Sequence, residues 1–499
     1  MKPTIYTVAT THLDTSWSWT LETTIGEYLP KTVRDNAELF KKHPGYRFSF
    51  EGSYRYELLE EYYPELFEQV KGYIADGRWA VAGSSFENGD VNIPSPEALF
   101  RNILYGNGYF MEKFGKRSAD IYLPDCFGFG WALPSVAAHS GLLGFTTQKL
   151  CWSCAYGIPF DFGFWEGPDG SRVYMSPDGR DYNGSLKCVR RNPKVRGSLE
   201  YNKRKYGLPV SMILHGIGDR GGAPREKSVR TVAAEAEKNS DSKIDVKAAF
   251  TDEIFRDVEK NLTEEQKNRL PVWKNELVMT DHGVGGYTSR TASKRFNRRA
   301  EQLADAAERM NVFADVYASH EYPRQTFDTA WKRAIAHQFH DDIPGTSLAE
   351  CYDRNWNDYI LSLNQFAEEY RAGVGALSKL ADASFVRGNA VMVTNPLQYE
   401  RTGCVSVRIT LPDGSDAAVY DAQGRQVPSQ IKHRSGTAEV TFCAAVPAFG
   451  FSVYDIRAGE RCTAQTALCV SDRSLENERY SVSLDENGDI CGIYDKKLK

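Results

Sequence analysis

Up to about residue 255 the chain alternates short β-branched or aromatic runs with amphipathic helical segments, the pattern of βα units around a parallel sheet or barrel. Many of these runs end in reactive polar residues. Residues 5–9 lead to His12-Leu13-Asp14, Phe48-Ser49-Phe50 to Glu51, residues 79–82 to Gly83-Ser84-Ser85, Ile121-Tyr122-Leu123 to Pro124-Asp125, and residues 210–214 to His215 and Asp219. Reactive groups gathered at C-terminal strand ends are how barrels and open α/β sheets build their sites.

The pattern then changes twice. From about Ser289 to Leu380 three long helical stretches, broken near Tyr322-Pro323 and Pro344-Gly345, predict a helical bundle. After Asn389, alternating runs such as residues 404–409, separated by Pro412-Asp413-Gly414 and Gly-Arg turns, predict antiparallel β-structure that closes near Gly459. Residues 475–499 begin a further β pattern with a turn at 486–489. We therefore expect a multi-domain α/β chain divided at 1–280, 281–388, 389–460 and 461–499, a division that 499 residues accommodate. A net charge of −5 without a long basic run speaks against a nucleic-acid surface. No apolar stretch approaches the roughly 20 residues of a membrane span, and Met1-Lys2-Pro3 leads straight into a strand. The expected location is cytoplasmic, or periplasmic if a signal peptide has been removed. Ten cysteines without framework spacing suit a reducing compartment, and Cys151-Trp152-Ser153-Cys154 reads as ordinary, partly buried thiols.

Four segments carry candidate chemistry. In an extended strand end, residues at i and i+2 share a face, so His12 and Asp14 can reach one ion with a nitrogen and an oxygen, a set that suits zinc better than calcium or magnesium. Asp125 sits in a glycine-rich, aromatic loop with Phe127 and Phe129, as a metal ligand, a nucleophile or a cap for a helix beginning near Leu133. Position alone favours the cap. His340-Asp341 lies where a helix must end before Pro344-Gly345: the histidine either complements the helix dipole or binds metal, with Asp341 orienting an imidazole. Asp219, in His215-Gly216-Ile217-Gly218-Asp219-Arg220-Gly221-Gly222, lacks any phosphate-loop signature and could act as a general acid if its pKa were raised. Glu276, His282 and Tyr287-Thr288-Ser289 form a further polar cluster, either a solvated loop or part of a site.

Taken in order, His12-Leu13-Asp14-Thr15-Ser16-Trp17, Pro124-Asp125-Cys126-Phe127-Gly128, the glycine-rich loop at 216–222, Phe339-His340-Asp341 with Pro344-Gly345-Thr346, and Asn395-Pro396-Leu397 resemble glycoside hydrolase family 38, the retaining α-mannosidases. The resemblance implies a distorted, seven-stranded-type β/α barrel, a three-helix bundle and β-sandwich domains, continuing beyond this chain's length into a large β-sandwich. It implies one zinc ion, or another divalent metal, held by His12, Asp14, Asp125 and His340. Asp125 would be nucleophile as well as ligand, and Asp219 the best match for the acid/base. Trp17 would floor a sugar pocket, with Phe127, Asp341 and Tyr287 as further substrate contacts. The implied substrate is a mannose-containing oligosaccharide or glycoconjugate, without nucleic-acid or membrane partners and with homo-oligomerisation open. Two other readings stand beside it: a metal-dependent carbohydrate deacetylase or amide hydrolase, which would release acetate or another acyl group, and a sugar-binding protein without turnover.

Overall fold

The computed structural model describes residues 2–412 and 414–498; Met1, Lys499 and Asp413 of the expected Pro412-Asp413-Gly414 turn lie outside the described residues. The chain divides into two compact units, residues 1–304 with 324–367 and residues 305–323 with 368–499.

In the first unit the alternation of strand and helix is realised as two five-stranded sheets. The strands are β1 (Thr4–Thr11), β2 (Phe48–Glu51), β3 (Trp79–Ala82), β4 (Asp120–Tyr122), β5 (Gly144–Thr146), β6 (Gly163–Glu166), β7 (Arg172–Ser176), β8 (Val210–Ile217), β9 (Asp245–Ala249) and β10 (Val272–Trp273). β1 is central to its sheet. It pairs in parallel with β8 along its whole length, with β9 over its first five residues and with β2 at Thr10 and Thr11. Covered on both faces, its last seven residues are buried, as its near-continuous run of Ile, Tyr, Val, Ala and Thr requires. The second sheet runs β10-β6-β7-β5-β4, parallel among β4, β5 and β7, with β6 antiparallel to β7. The expected strands are thus present, divided between two sheets. Their cores are aromatic-rich, with Phe48, Phe50, Tyr56 and Trp79 beside the first sheet and Phe129, Phe145 and Trp165 beside the second.

The three expected helices run Thr291–Ala318, Arg324–Ala336 and Cys351–Ser378. At 28 residues each, the first and last are about 42 Å long, and the division between the two compact units falls within both. In the first unit, Trp331 packs edge-on to Phe366 and Ser293 bonds Asn355.

In the second unit two antiparallel sheets enclose a core of Val419, Val440, Phe442, Tyr454 and Ile456. One sheet contains β11 (Asn389–Asn395), β13 (Ala417–Tyr420), β14 (Gln426–Val427) and β17 (Gly450–Ala458). The other contains β12 (Arg401–Thr410), β15 (Ser429–Arg434) and β16 (Thr437–Val446). A four-stranded meander, β18 (Cys469–Ser471) to β21 (Ile490–Asp495), includes the expected turn, where Gly488 takes φ +86°.

Candidate active site

Beyond β1 the chain stays extended and pairs with the segment after β8. His12 N–H donates to Ile217 O (3.0 Å) and Asp14 N–H to Asp219 O (2.8 Å), so the ladder brings Asp14 and Asp219 side by side. Asp219 adopts φ +65°, a left-handed backbone that a non-glycine residue holds only where its surroundings fix it. Glycine spacing permits the close approach: a Cβ on Gly216 would lie 1.9 Å from Thr10 O and one on Gly218 2.3 Å from the Tyr182 ring.

The intervening Leu13 carbonyl is clamped by Arg55, whose Nε (2.8 Å) and Nη2 (2.5 Å) both donate to it. Arg55 is itself fully buried and paired with Glu87 at 2.7 Å, which fixes the backbone between His12 and Asp14. Asp125 lies beyond β4, where Leu123 N–H donates to Thr146 O and Gln148 Nε2 to Pro124 O. It caps nothing. The helix Leu133–His139 starts at Ala132 without a side-chain cap, which corrects the capping alternative. His340 likewise does not serve a helix end: its ring Nδ1–H donates to Asn88 O at 2.9 Å.

These segments converge on one buried point. His12 Nε2 lies 2.9 Å from Asp14 Oδ1, and His340 Nε2 lies 3.5 Å from Asp14 Oδ1 and 3.6 Å from Asp125 Oδ2 and from Asp341 Oδ2. Ligands around a tetrahedral ion are spaced about 3.3–3.5 Å from one another when their metal bonds are about 2.0–2.2 Å. His12 Nε2, Asp14 Oδ1 and His340 Nε2 are buried without a hydrogen-bond partner, despite their proximity. Unpaired buried polar atoms aimed at one another are costly unless a cation joins them. His12, Asp125 and His340, and Asp14, His340 and Asp341, each offer donor atoms within 4.8 Å of one another. The outer nitrogens are committed elsewhere, His12 Nδ1 to Glu51 Oε1 and His340 Nδ1 to Asn88, which turns both Nε2 atoms toward the same point. The residues fit a metal ion.

Electrostatics agree. Burial opposes charge on His12, yet Glu51 and Asp14 raise its pKa to about 10. Burial likewise opposes charge on His340, and Asp125, Asp14 and Asp341 overcome it. Four carboxylates around two imidazoles call for positive charge, which a divalent ion would provide.

Beside this point opens a cavity of about 490 Å³ whose walls include Asp14, Trp17, Asp125, Phe127, Asp219 and Asp341. Lys149 Nζ contacts Asp125 Oδ1 and lies over the rings of Phe127 and Trp152, at 5.3 and 5.2 Å. Tyr182 Oη lies 3.1 Å from Asp125 Oδ1 and 2.9 Å from Asp219 Oδ1. A hydroxyl has one proton to donate, so the two carboxylates compete for it. Burial disfavours a charged Asp125, but His340, Lys149 and His12 hold it well below the ordinary range. Burial and Asp14 instead push Asp219 up. Burial pushes Asp341 up to about 7, and its Oδ1 accepts from Thr346.

Of the residues expected from sequence, Tyr287 is not brought to the cavity: its hydroxyl donates to Asp90 and accepts from Asn92 at 2.7 Å. His215 belongs to the interior of β8, paired in register with Ala9, and lines a different cavity. Glu276 is exposed, whereas His282 reaches the rim and packs on Trp152 with ring centroids 4.5 Å apart. Lys149 and Tyr182 were not expected. Lys149 stands three residues beyond β5, so the strand-end rule could have flagged it, but Gly144-Phe145-Thr146 is too short a run to be recognised as a strand.

A sequence profile described as "Glycosyl hydrolases family 38 N-terminal domain" matches residues 2–276, and one described as "Alpha mannosidase middle domain" matches residues 284–377. The chain belongs to glycosyl hydrolase family 38. Relatives within reach of this family 38 chain include alpha-mannosidase G of Dictyostelium discoideum, 29% identical over 70% of this chain and 31% of that protein. Alpha-mannosidase 2C1 of Homo sapiens is 27% identical over 80% of this chain and 37% of that protein. The chain thus spans about a third of the length of these relatives. Its fold matches the crystal structure of an alpha-mannosidase from Enterococcus faecalis V583 with a TM-score of 0.80 at 20% identity, over 99% of this chain and 61% of that one. Among the described residues no helix is long and apolar enough to cross a membrane.

Proposed function

We propose that this family 38 chain carries the site of a zinc-dependent retaining α-mannosidase, which hydrolyses terminal α-mannosyl residues of glycans through a covalent mannosyl-Asp125 intermediate. The two sheets would be the distorted barrel and the long helices the bundle of that family. The carrying observation is the double engagement of Asp125. Its Oδ2 faces the metal donors while its Oδ1 faces the cavity between Lys149 and Tyr182.

In this reading His12, Asp14, Asp125 and His340 hold the ion, and the mixed nitrogen and oxygen donor set favours zinc. When bound, the ion supplies Lewis-acid contact to sugar hydroxyls and helps orient the ring. Asp125, kept ionised by Lys149, attacks the anomeric carbon. Asp219, its pKa raised, protonates the departing glycosidic oxygen and then takes a proton from the water that releases mannose. Because both carboxylates touch the same hydroxyl, their nearest oxygens are separated by no more than the sum of 3.1 and 2.9 Å. Such proximity is compatible with a retaining displacement, for which the two carboxyl groups lie about 5–5.5 Å apart. Trp17 and Phe127 offer apolar faces for a sugar ring.

The test is release of aryl alcohol from an aryl α-mannoside by metal-loaded and chelated protein, alongside Asp125→Ala. Release that needs metal and is lost in the variant is the expected result. Release retained by Asp125→Ala would remove the proposed nucleophile.

A further inference from the structure

Outside the candidate active site, the second unit brings three of the chain's ten cysteines, Cys404, Cys443 and Cys462, to one cavity of about 720 Å³. Two of them stand directly opposite one another. Cys404 on β12 is the register partner of Cys443 on the central strand β16. The Cys443 N–H donates away from β12, to Pro428 O on the β15 side at 3.2 Å. Since both backbone polar groups of a strand residue point to the same neighbour, Cys404 and Cys443 form a non-hydrogen-bonded pair, the type with the closer Cα spacing of about 4.5 Å. That spacing falls within the roughly 4.4–6.8 Å that a disulfide spans.

The next pair of the same type on the same sheet face, Ser406 and Thr441, shows how near such side chains come, with hydroxyl oxygens 2.7 Å apart. The core-facing residues Val405, Val440 and Phe442 alternate with these positions, so the cysteines project from the outer face. Cys404 is exposed and Cys443 partly buried. Burial, and then the adjacent Cys404 thiol, raise the pKa of the Cys443 thiol.

We propose that Cys404 and Cys443 are a redox modification site, a dithiol that low-molecular-weight disulfides oxidise to a cross-strand disulfide. Exposed Cys404, as thiolate, attacks the small disulfide, forming a mixed disulfide and releasing one small thiol. Cys443 then gives up its proton and attacks Cys404 Sγ; the Cys404–Cys443 bond forms, the mixed disulfide breaks, and the second small thiolate leaves and takes that proton. The two electrons lost by the cysteines reside in the two released thiols.

The whole chain, first reduced, is equilibrated with oxidised and reduced glutathione at graded ratios, alkylated, and mapped by peptide mass. The expected product is a Cys404–Cys443 cross-linked peptide lacking two hydrogens, absent from Cys404→Ser and from Cys443→Ser and retained in Cys462→Ser. Stable glutathione adducts on Cys404 without that cross-link, or a link from either residue to Cys462 in its place, would overturn the proposal.

Discussion

Glu51 does not line the active-site cavity, yet if His12 holds the proposed metal, Glu51 sets how well it does so. Its carboxylate fixes the His12 ring through Nδ1 and raises the basicity of that ligand. Glu51→Gln should keep the fold and lower metal affinity about 10–100-fold, as loss of such supporting carboxylates does. Competition with a chromophoric chelator measures this, and an unchanged affinity would refute the role. Tyr182 sets a second balance, between the depressed carboxyl of Asp125 and the raised one of Asp219. A general acid must begin protonated, so activity should fall as pH rises through the Asp219 pKa. The Tyr182 hydrogen bond favours ionised Asp219, so Tyr182→Phe should move that alkaline limb of kcat/KM to higher pH. Movement to lower pH would mean that Asp219 is not the group titrating.

The helix Pro96–Phe114 positions the site from a distance. It packs on the turn after β3, where Phe86 N–H donates to Asn102 O (2.7 Å) and Glu87 N–H to Asn102 Oδ1 (2.9 Å); Glu87 in turn anchors Arg55, the clamp on Leu13. Gly106 makes that packing possible, since a Cβ there would lie 2.2 Å from Ser84 O. Exposed Gly108, two residues on, has nothing within 4 Å. Replacing glycine by alanine inside a helix ordinarily stabilises by about 0.5–1 kcal/mol. Gly108→Ala should obey that rule and raise the urea midpoint. Gly106→Ala should reverse the sign, costing about 1–3 kcal/mol by overpacking. Equal effects at both positions would show that the contact is not rigid. This contrast also marks how far sequence patterns reach. Strand ends bearing His12, Glu51, Asp125 and Asp219 were legible, because a hydrophobic run and the polar residues that end it are local signals. The three long helices were legible from their breaks. The Arg55–Glu87 clamp and the convergence of Lys149 and Tyr182 on Asp125 depend on pairings between residues 24 to 57 positions apart, and the division of the strands into two sheets on pairings as distant as that of β1 with β8, none of which a local pattern encodes. The bond of Tyr287 to Asp90, far away in sequence, is hidden from local patterns for the same reason.

At the scale of the molecule, the candidate metal donors tie together segments from residues 12–14, 125 and 340–341, all in the first unit. An ion that binds only the folded arrangement stabilises by about RT ln(1 + [L]/Kd), and it does so where its ligands are. Removing it returns mutually facing carboxylates to a buried site and leaves His12 Nε2 and His340 Nε2 without partners. Local opening should then become easier around those segments before the rest of the chain responds. Hydrogen exchange with and without chelator should show lost protection at residues 12–17, 123–128 and 339–343. Exchange in β12, β15 and β16 should stay unchanged, because their core of Val440, Phe442 and neighbouring apolar side chains includes none of the candidate ligands. Uniform loosening of both sets of amides would mean that the metal stabilises the whole chain rather than its own site. No change at either set would mean that His12, Asp14, Asp125 and His340 hold no ion in solution.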